Sequence, residues 1–211
     1  MPNITKLTED YIIEHPSIKD CLVSGLINYS SLSRKIALEL KLDLKNDFDA
    51  ILIACRRFKR KLKKDETFEK NILKILKDSK IEIKNKIIAV VVEKDIFFGN
   101  LIDLEKEIKK KNEIFRIIEG ASGITIITSE DFLNRIQKIF KNQIILENKN
   151  LAEITIKSPK EIETTPGTYA YLCSLFGEHN INIVETLSCW TDTIFLIKEE
   201  DVGKAMNLLR F

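Results

Sequence analysis

The stretch from Thr165-Pro166-Gly167-Thr168-Tyr169 through Asn180-Ile181-Asn182-Ile183 places the tightest constraint on how this chain folds. Proline has no N–H to lose in a first helical turn, and glycine lets the backbone pass close to a neighbour. Pro166-Gly167 therefore marks a loop that opens a helix. Leu172, Leu175 and Phe176 recur at helical spacing and give that helix one apolar face. Gly177 lies near its end, and Asn180 suits a left-handed exit. Ile181, Ile183 and Leu187 then fall on one face of a new strand. A strand-like segment, Leu151 to Lys157, comes before the loop. The whole reads as strand, loop, helix, tight exit and strand, which is half of a split βαβ unit.

The same order occurs earlier in the chain. Ile87 to Val92 is a β-branched apolar run suited to a buried strand. Phe97-Phe98-Gly99-Asn100 turns into a helix with Leu101, Leu104 and Ile108 inward. Ile114 to Ile118 and Ile124 to Thr128 are strands joined by a Gly120–Gly123 hairpin turn, and Ser129 can cap a helix carrying Phe132, Leu133, Ile136, Ile139 and Phe140. Ile124-Thr-Ile-Ile-Thr-Ser-Glu130-Asp131 stands beside Ile194-Phe-Leu-Ile-Lys-Glu-Glu200-Asp201, and Gly99 stands beside Gly167. A period of roughly 70 residues is too long for a solenoid and suits two whole domains. Between the copies, Gln143 to Glu147 and Leu151 to Lys157 are strand runs separated by Asn148-Lys149-Asn150, a spacing that suits a β-hairpin. Gln143 to Glu147 could close the first unit or join the second, and Ile81 to Lys84 could lie beside Ile87 to Val92.

The C-terminal stretch resembles the ACT domain, the small regulatory fold of aspartokinases and other amino-acid-responsive proteins. The resemblance rests on Pro166-Gly167, on the apolar helix through Leu175 and Phe176, and on Asn180-Ile181-Asn182-Ile183. Thr193 to Asp201 then matches a third strand and the start of a second helix, which Ala205 to Leu209 continues. Two such units in tandem resemble the aspartokinase regulatory region without its kinase domain. The expected fold class is α+β: two ferredoxin-like βαββαβ (ACT-like) units, a degenerate one over 81–147 and a second over 148–211. The second copy stops at Phe211, short of a fourth strand, so an open sheet edge and a homodimer or larger assembly are expected. The resemblance implies an amino acid bound at the loop. The candidate contacts are Thr165, Pro166, Gly167, Thr168 and Tyr169, where a helix N-terminus suits a carboxylate, together with Asn180, Ile181 and Asn182. Trp190, the only tryptophan, falls in a predicted hairpin at Ser188 to Asp192, which points to an exposed or interfacial position.

Residues 1–64 read as helical. One helix stops near His15-Pro16, because proline disfavours helix in the residue before it. A second carries Ile18, Leu22 and Leu26. A third, with Ser30 or Ser31 as cap, carries Leu32, Ile36 and Leu40. A fourth opens at Asp47 and carries Phe48, Ile51, Cys55, Phe58 and Leu62. Ile18 to Leu40 has the lengths of a helix-turn-helix, and 65–80 reads as a helical connector. Residues 1–85 have a net charge of +5 and residues 86–211 a net of −3. The densest basic run is Arg56 to Lys64. Arg34, Lys35, Arg56, Arg57, Lys59 and Arg60 are therefore the candidate nucleic-acid contacts, through phosphates.

Little points to catalysis. His15 and His179 lie in separate predicted domains, with no partner at metal-ligand spacing. No P-loop, GxGxxG or GxSxG occurs. The four cysteines are scattered without a CxxC pair, as reduced thiols would be. No apolar run is long enough to span a bilayer and no signal pattern opens the chain, so a cytoplasmic protein is expected. The reading is of a non-enzymatic regulatory protein that needs no cofactor or metal. Its ligand would be an amino acid or similar small carboxylate, and its N-terminal helices would act on DNA as those of a transcription regulator. The alternative is a non-catalytic subunit docking on an amino-acid biosynthetic enzyme.

Overall fold

A computed structural model of the chain describes residues 3–62 and 66–211. Lys63 and Lys64, the end of the basic run, and residue 65, the start of the expected connector, lie outside the described residues. The chain divides into two units, Met1–Lys70 and Asn71–Phe211.

The first unit contains α1 (Ile4–Glu14), α2 (Pro16–Ser24), α3 (Tyr29–Glu39) and α4 (Phe48–Leu62). Pro16 ends α1 and opens α2, and Gly25 closes α2 in the left-handed conformation at φ 77°, where a Cβ would crowd the following carbonyl. The cap of α3 is Asn28, whose side chain accepts from the Ser31 N–H at 3.1 Å. It is not Ser30 or Ser31, which lie inside the first turn. Asp47 directs its carboxylate to the Asp43 N–H, at 3.1 Å, and so ties the loop before α4. Tyr11, Ile12, Leu22, Ile36, Ile51, Cys55 and Phe58 form the core. Burial pushes the Cys55 thiol up to about 11.

The second unit is built on one six-stranded sheet, antiparallel at every pairing, with strand order β2-β3-β1-β4-β6-β5. The strands are β1 (Lys80–Val92), β2 (Phe115–Glu119), β3 (Ile124–Ser129), β4 (Ile144–Lys157), β5 (Glu185–Cys189) and β6 (Asp192–Lys198). Helices α6 (Phe98–Lys110), α7 (Leu133–Phe140), α8 (Thr168–Glu178) and α9 (Val202–Leu208) connect or follow them. Preceding the sheet is α5 (Glu66–Lys77).

The expected hairpin at Asn148-Lys149-Asn150 does not form. β4 runs straight through these residues, with Asn150 at φ 56° and a register shift where Leu151 pairs with Ile87 and Asn148 with Ala89. The reason is the partner. β1 is nearly as long as β4 and pairs along its whole length, from Lys80↔Lys157 to Val92↔Ile144, so the surplus residues are absorbed as a bulge. This also settles where the uncertain runs go. Ile144 to Asn148 lies beside Ala89 to Val92. Lys80 to Lys84 lies beside Glu153 to Lys157 and not beside Ile87 to Val92. The edge expected to be open after Phe211 is therefore filled from within the chain. The strand expected at Ile181 begins only at Glu185, because Asn180 (φ 54°) turns the chain and Ile181 drops into the core.

Side-chain alternation divides the sheet's residues into two faces. Ile88, Val90, Ile124 and Ile126 pack with Leu101, Leu104 and Ile108 of α6 and Ile136 and Phe140 of α7. Ile154, Ile156, Phe195 and Ile197 pack with Leu172 and Phe176 of α8, Ala205 of α9, and Ile72 and Leu76 of α5. On the other face Ile87, Ala89, Ile127, Leu151, Ile194 and Leu196 cluster. Two contacts there join strands that are not neighbours in the ladder. Arg116 of β2 grips Glu153 of β4 through two hydrogen bonds, at 2.8 and 3.0 Å, and Thr125 of β3 donates to Glu185 of β5 at 3.3 Å. The sheet thus curls over this face. Among the described residues no helix is long and apolar enough to cross a membrane.

Candidate functional site

The loop that dominates the sequence builds a hollow in the second unit. Gly167 is the N-cap of α8 and sits at φ 85°, in the left-handed region, and no side chain caps the helix. The first N–H groups of α8 therefore have no side-chain acceptor, at the positive end of the helix dipole. The Thr168 hydroxyl donates to the Thr165 carbonyl at 3.2 Å. Tyr169 and Thr186 share a hydroxyl–hydroxyl hydrogen bond. Thr186 donates its own proton to the Ile194 carbonyl at 3.2 Å, so Tyr169 is the donor to Thr186. The helix start is thereby fastened to β5.

An open hollow of about 370 Å³ lies against this helix start, lined by Ile162, Glu163, Thr165, Gly167, Thr168, Tyr169, Ser188, Trp190 and Thr193. Thr193, at the start of β6, is only 2% exposed, and no hydrogen bond to its hydroxyl occurs among the described residues. Among the described residues no fully enclosed side-chain nitrogen or oxygen lacks a partner. The Thr193 hydroxyl therefore opens onto the hollow. A helix N-terminus and an unspent hydroxyl on one concavity can hold an anionic group.

Trp190 forms part of the wall. It occupies the two-residue turn between β5 and β6 at φ 52°, and its side chain is 64% exposed. Glycine or asparagine is the usual residue at such a turn position, and a bulky aromatic there costs about 1–3 kcal/mol. Lys160 places its ammonium 5.6 Å from the centre of the indole.

Thr165, Gly167, Thr168 and Tyr169 are brought together on the hollow, with Pro166 between them in the chain. Asn180, Ile181 and Asn182 lie past the other end of α8, roughly 16 Å away along an eleven-residue helix. Ile181 is 3% exposed and belongs to the core. Sequence reasoning noted Trp190 but did not connect it with the loop, and it missed Ser188 and Thr193. Strand alternation from Phe195 could have placed Thr193 on the helix side of the sheet.

In the first unit Arg34, Lys35, Arg56, Arg57 and Arg60 are exposed and Lys59 is partly so. Several are already engaged. Lys35 pairs with Glu39 at 2.8 Å. The guanidinium carbons of Arg34 and Arg56 lie 6.0 and 5.8 Å from the rings of Phe48 and Tyr29. Both histidines are tied locally, His15 Nδ1 to the Tyr11 carbonyl at 2.7 Å and His179 Nδ1 to the Leu175 carbonyl at 2.9 Å. Among the described residues no group of three or more His, Cys, Asp or Glu could hold a metal ion.

No protein-family model matches this sequence, and no curated protein matches it. Solved structures do. Clostridium acetobutylicum aspartate kinase, described as an allosteric enzyme, is similar at 16% identity and a TM-score of 0.51, over 62% of this chain and 33% of the kinase. A C-terminal regulatory domain of aspartate kinase from Porphyromonas gingivalis is 14% identical with a TM-score of 0.47, over 62% of this chain and 94% of that domain. The ligand-free regulatory subunit of Thermus thermophilus aspartate kinase is 13% identical with a TM-score of 0.48, over 61% and 92%. The chain spans about a third of the length of the Clostridium kinase. At these identities the likeness is one of fold. The resemblance to the aspartate kinase regulatory region, read first from Pro166-Gly167 and the repeat, is met at that level.

Proposed function

We propose that this chain is a regulatory protein whose second unit senses an amino acid or a similar small carboxylate. The observation that carries the proposal is the hollow at the start of α8, where the uncapped helix N-terminus and the unpartnered Thr193 hydroxyl converge. The carboxylate meets the N–H groups after Pro166. The sheet comprises two interlocked ACT-like units, each drawing its fourth strand from the long pair β1 and β4. Ligand binding shifts an equilibrium between arrangements of these units. The test is thermal shift of the full chain against the standard amino acids, since a ligand that binds only the native state raises the melting temperature. A flat response to all of them removes the sensing reading.

The output goes through the N-terminal helices. Arg57, Lys59 and Arg60 make no ion pair among the described residues, and this supports phosphate contact by a DNA-binding transcription regulator. Replacing Arg56, Arg57 and Arg60 with Ala should weaken duplex binding for all sequences alike and flatten its salt dependence. A specific observation favours the second reading, docking on a biosynthetic enzyme. Leu26 and Leu38 of the first unit are 82% and 74% exposed, more apolar surface than a phosphate-binding face requires. Failure of the unmodified protein to bind duplex DNA at low salt decides for docking. Self-association remains part of the proposal. Among the described residues Ile144 to Asn148 is paired on one side alone, with Ile145 and Leu146 56% and 51% exposed, and light scattering at micromolar concentration reads the mass directly.

A further inference from the structure

The hollow has a second wall whose chemistry is opposite to that of the helix start. Trp190 is held in a backbone conformation that glycine or asparagine adopts more easily, and it presents a broad ring at the surface, where nothing in the fold requires one. The Lys160 ammonium is 5.6 Å from the ring centre, within the range of a cation–π contact. The hollow thus has a place for an anion, at the α8 N-terminus and Thr193, and in its wall an indole that attracts a cation, since an ammonium of the same protein already lies against that ring. Asn180 and Asn182, expected among the ligand contacts, lie at the far end of α8, so the α-amino group of an amino acid bound at the helix start needs another partner.

We propose that the indole face of Trp190 receives the ammonium group of the bound amino acid, and that Lys160 holds this place until the ligand displaces it. This rests on the sensing reading above and adds the residue that distinguishes an amino acid from a plain carboxylic acid. Lys160 acts as an internal competitor. It keeps the ring faced by a charge in the free protein and sets the ligand concentration at which the site fills. The Glu163 carboxylate on the same rim favours a ligand that carries a positive charge as well as a negative one.

Trp190 is the only tryptophan in the chain, so emission excited beyond the absorption of tyrosine reports on this site alone. The probes are the standard L-amino acids, each beside its α-hydroxy acid, which keeps the carboxylate and side chain and loses the ammonium. An amino acid that raises the melting temperature should also change Trp190 emission, and its hydroxy acid should bind about 10-fold more weakly. Trp190→Asn relieves the strained turn, so it should melt no lower than the unmodified chain while binding that amino acid about 2- to 5-fold more weakly by calorimetry. Lys160→Gln should bind it tighter by a similar factor. Equal binding of the hydroxy acid, or full affinity in Trp190→Asn, overturns the role of the indole and leaves carboxylate sensing in place. If no amino acid raises the melting temperature, the sensing reading falls and this inference falls with it.

Discussion

Gly167 caps α8 at φ 85°, a conformation that an L side chain adopts at a cost of about 1–2 kcal/mol. Gly167→Ala should therefore lower stability by about that amount in urea titration, and Gly167→Val should do so more severely, as well as filling the hollow. The Arg116–Glu153 pair was not legible at all, because its partners are 37 residues apart and meet only when the sheet curls. The Glu153 side chain is 1% exposed and that of Arg116 31%. The Glu153 carboxylate holds the Arg116 guanidinium above its usual pKa. Removing the cation strands a buried carboxylate, so Arg116→Ala should cost about 3 kcal/mol. Glu153→Gln keeps one acceptor oxygen for Arg116 and turns the other into an NH2 that cannot accept, so it should cost about 1.5–3 kcal/mol, the worth of one hydrogen bond to a charged group, and denaturant midpoints of the two variants give the comparison. In the first unit, burial and then a 2.7 Å hydrogen bond to Glu39 push the Tyr11 phenol up to about 12. The folded state favours the protonated phenol. This contribution is complete below the unfolded value near 10 and is lost as pH rises toward 12. Circular dichroism titration should show Tyr11→Phe losing less stability than the unmodified chain across that window.

At the scale of elements, the sequence located what periodicity can locate. The helices through Leu172 and Phe176, through Leu104 and Ile108, and through Ile51 and Phe58 formed as their apolar spacing required, and Gly120 and Gly123 made their turn, Gly120 N–H to Gly123 O at 2.9 Å. It went astray where a choice depended on a distant partner. Asn148-Lys149-Asn150 has the composition of a hairpin turn, yet β1 offers a ladder longer than either run alone, and a continuous strand with a bulge satisfies more backbone groups than a hairpin would. Ile81 and Ile83 pack against the α8 core for the same reason. The amide protons of Lys80 to Lys84 that face β4 should thus exchange with deuterium as slowly as their partners in Glu153 to Lys157. Exchange at the rate of an unstructured linker would contradict the pairing.

At the scale of the whole molecule, charge asymmetry and the internal repeat point to a helical part and a sheet part, but neither property could show how the strands of the sheet interlock. β1 runs between β3 and β4, and β4 runs between β1 and β6. Every long strand is shared between two neighbourhoods. The hollow followed the same pattern of legibility. Its loop side was visible in Pro166-Gly167, a local motif, and its hairpin side was hidden because Trp190 and Thr193 reach it only through the ladder of β5 and β6.

Sharing of that kind has a mechanical corollary. A protease that clips the chain between Gly120 and Gly123 leaves β1 and β2 on one fragment and β3 and β4 on the other, with β1 still clasped between them. The two fragments are threaded alternately, like the fingers of folded hands. They should co-elute in size exclusion after the cut and separate only in denaturant, whereas two beads joined by a string would drift apart at once.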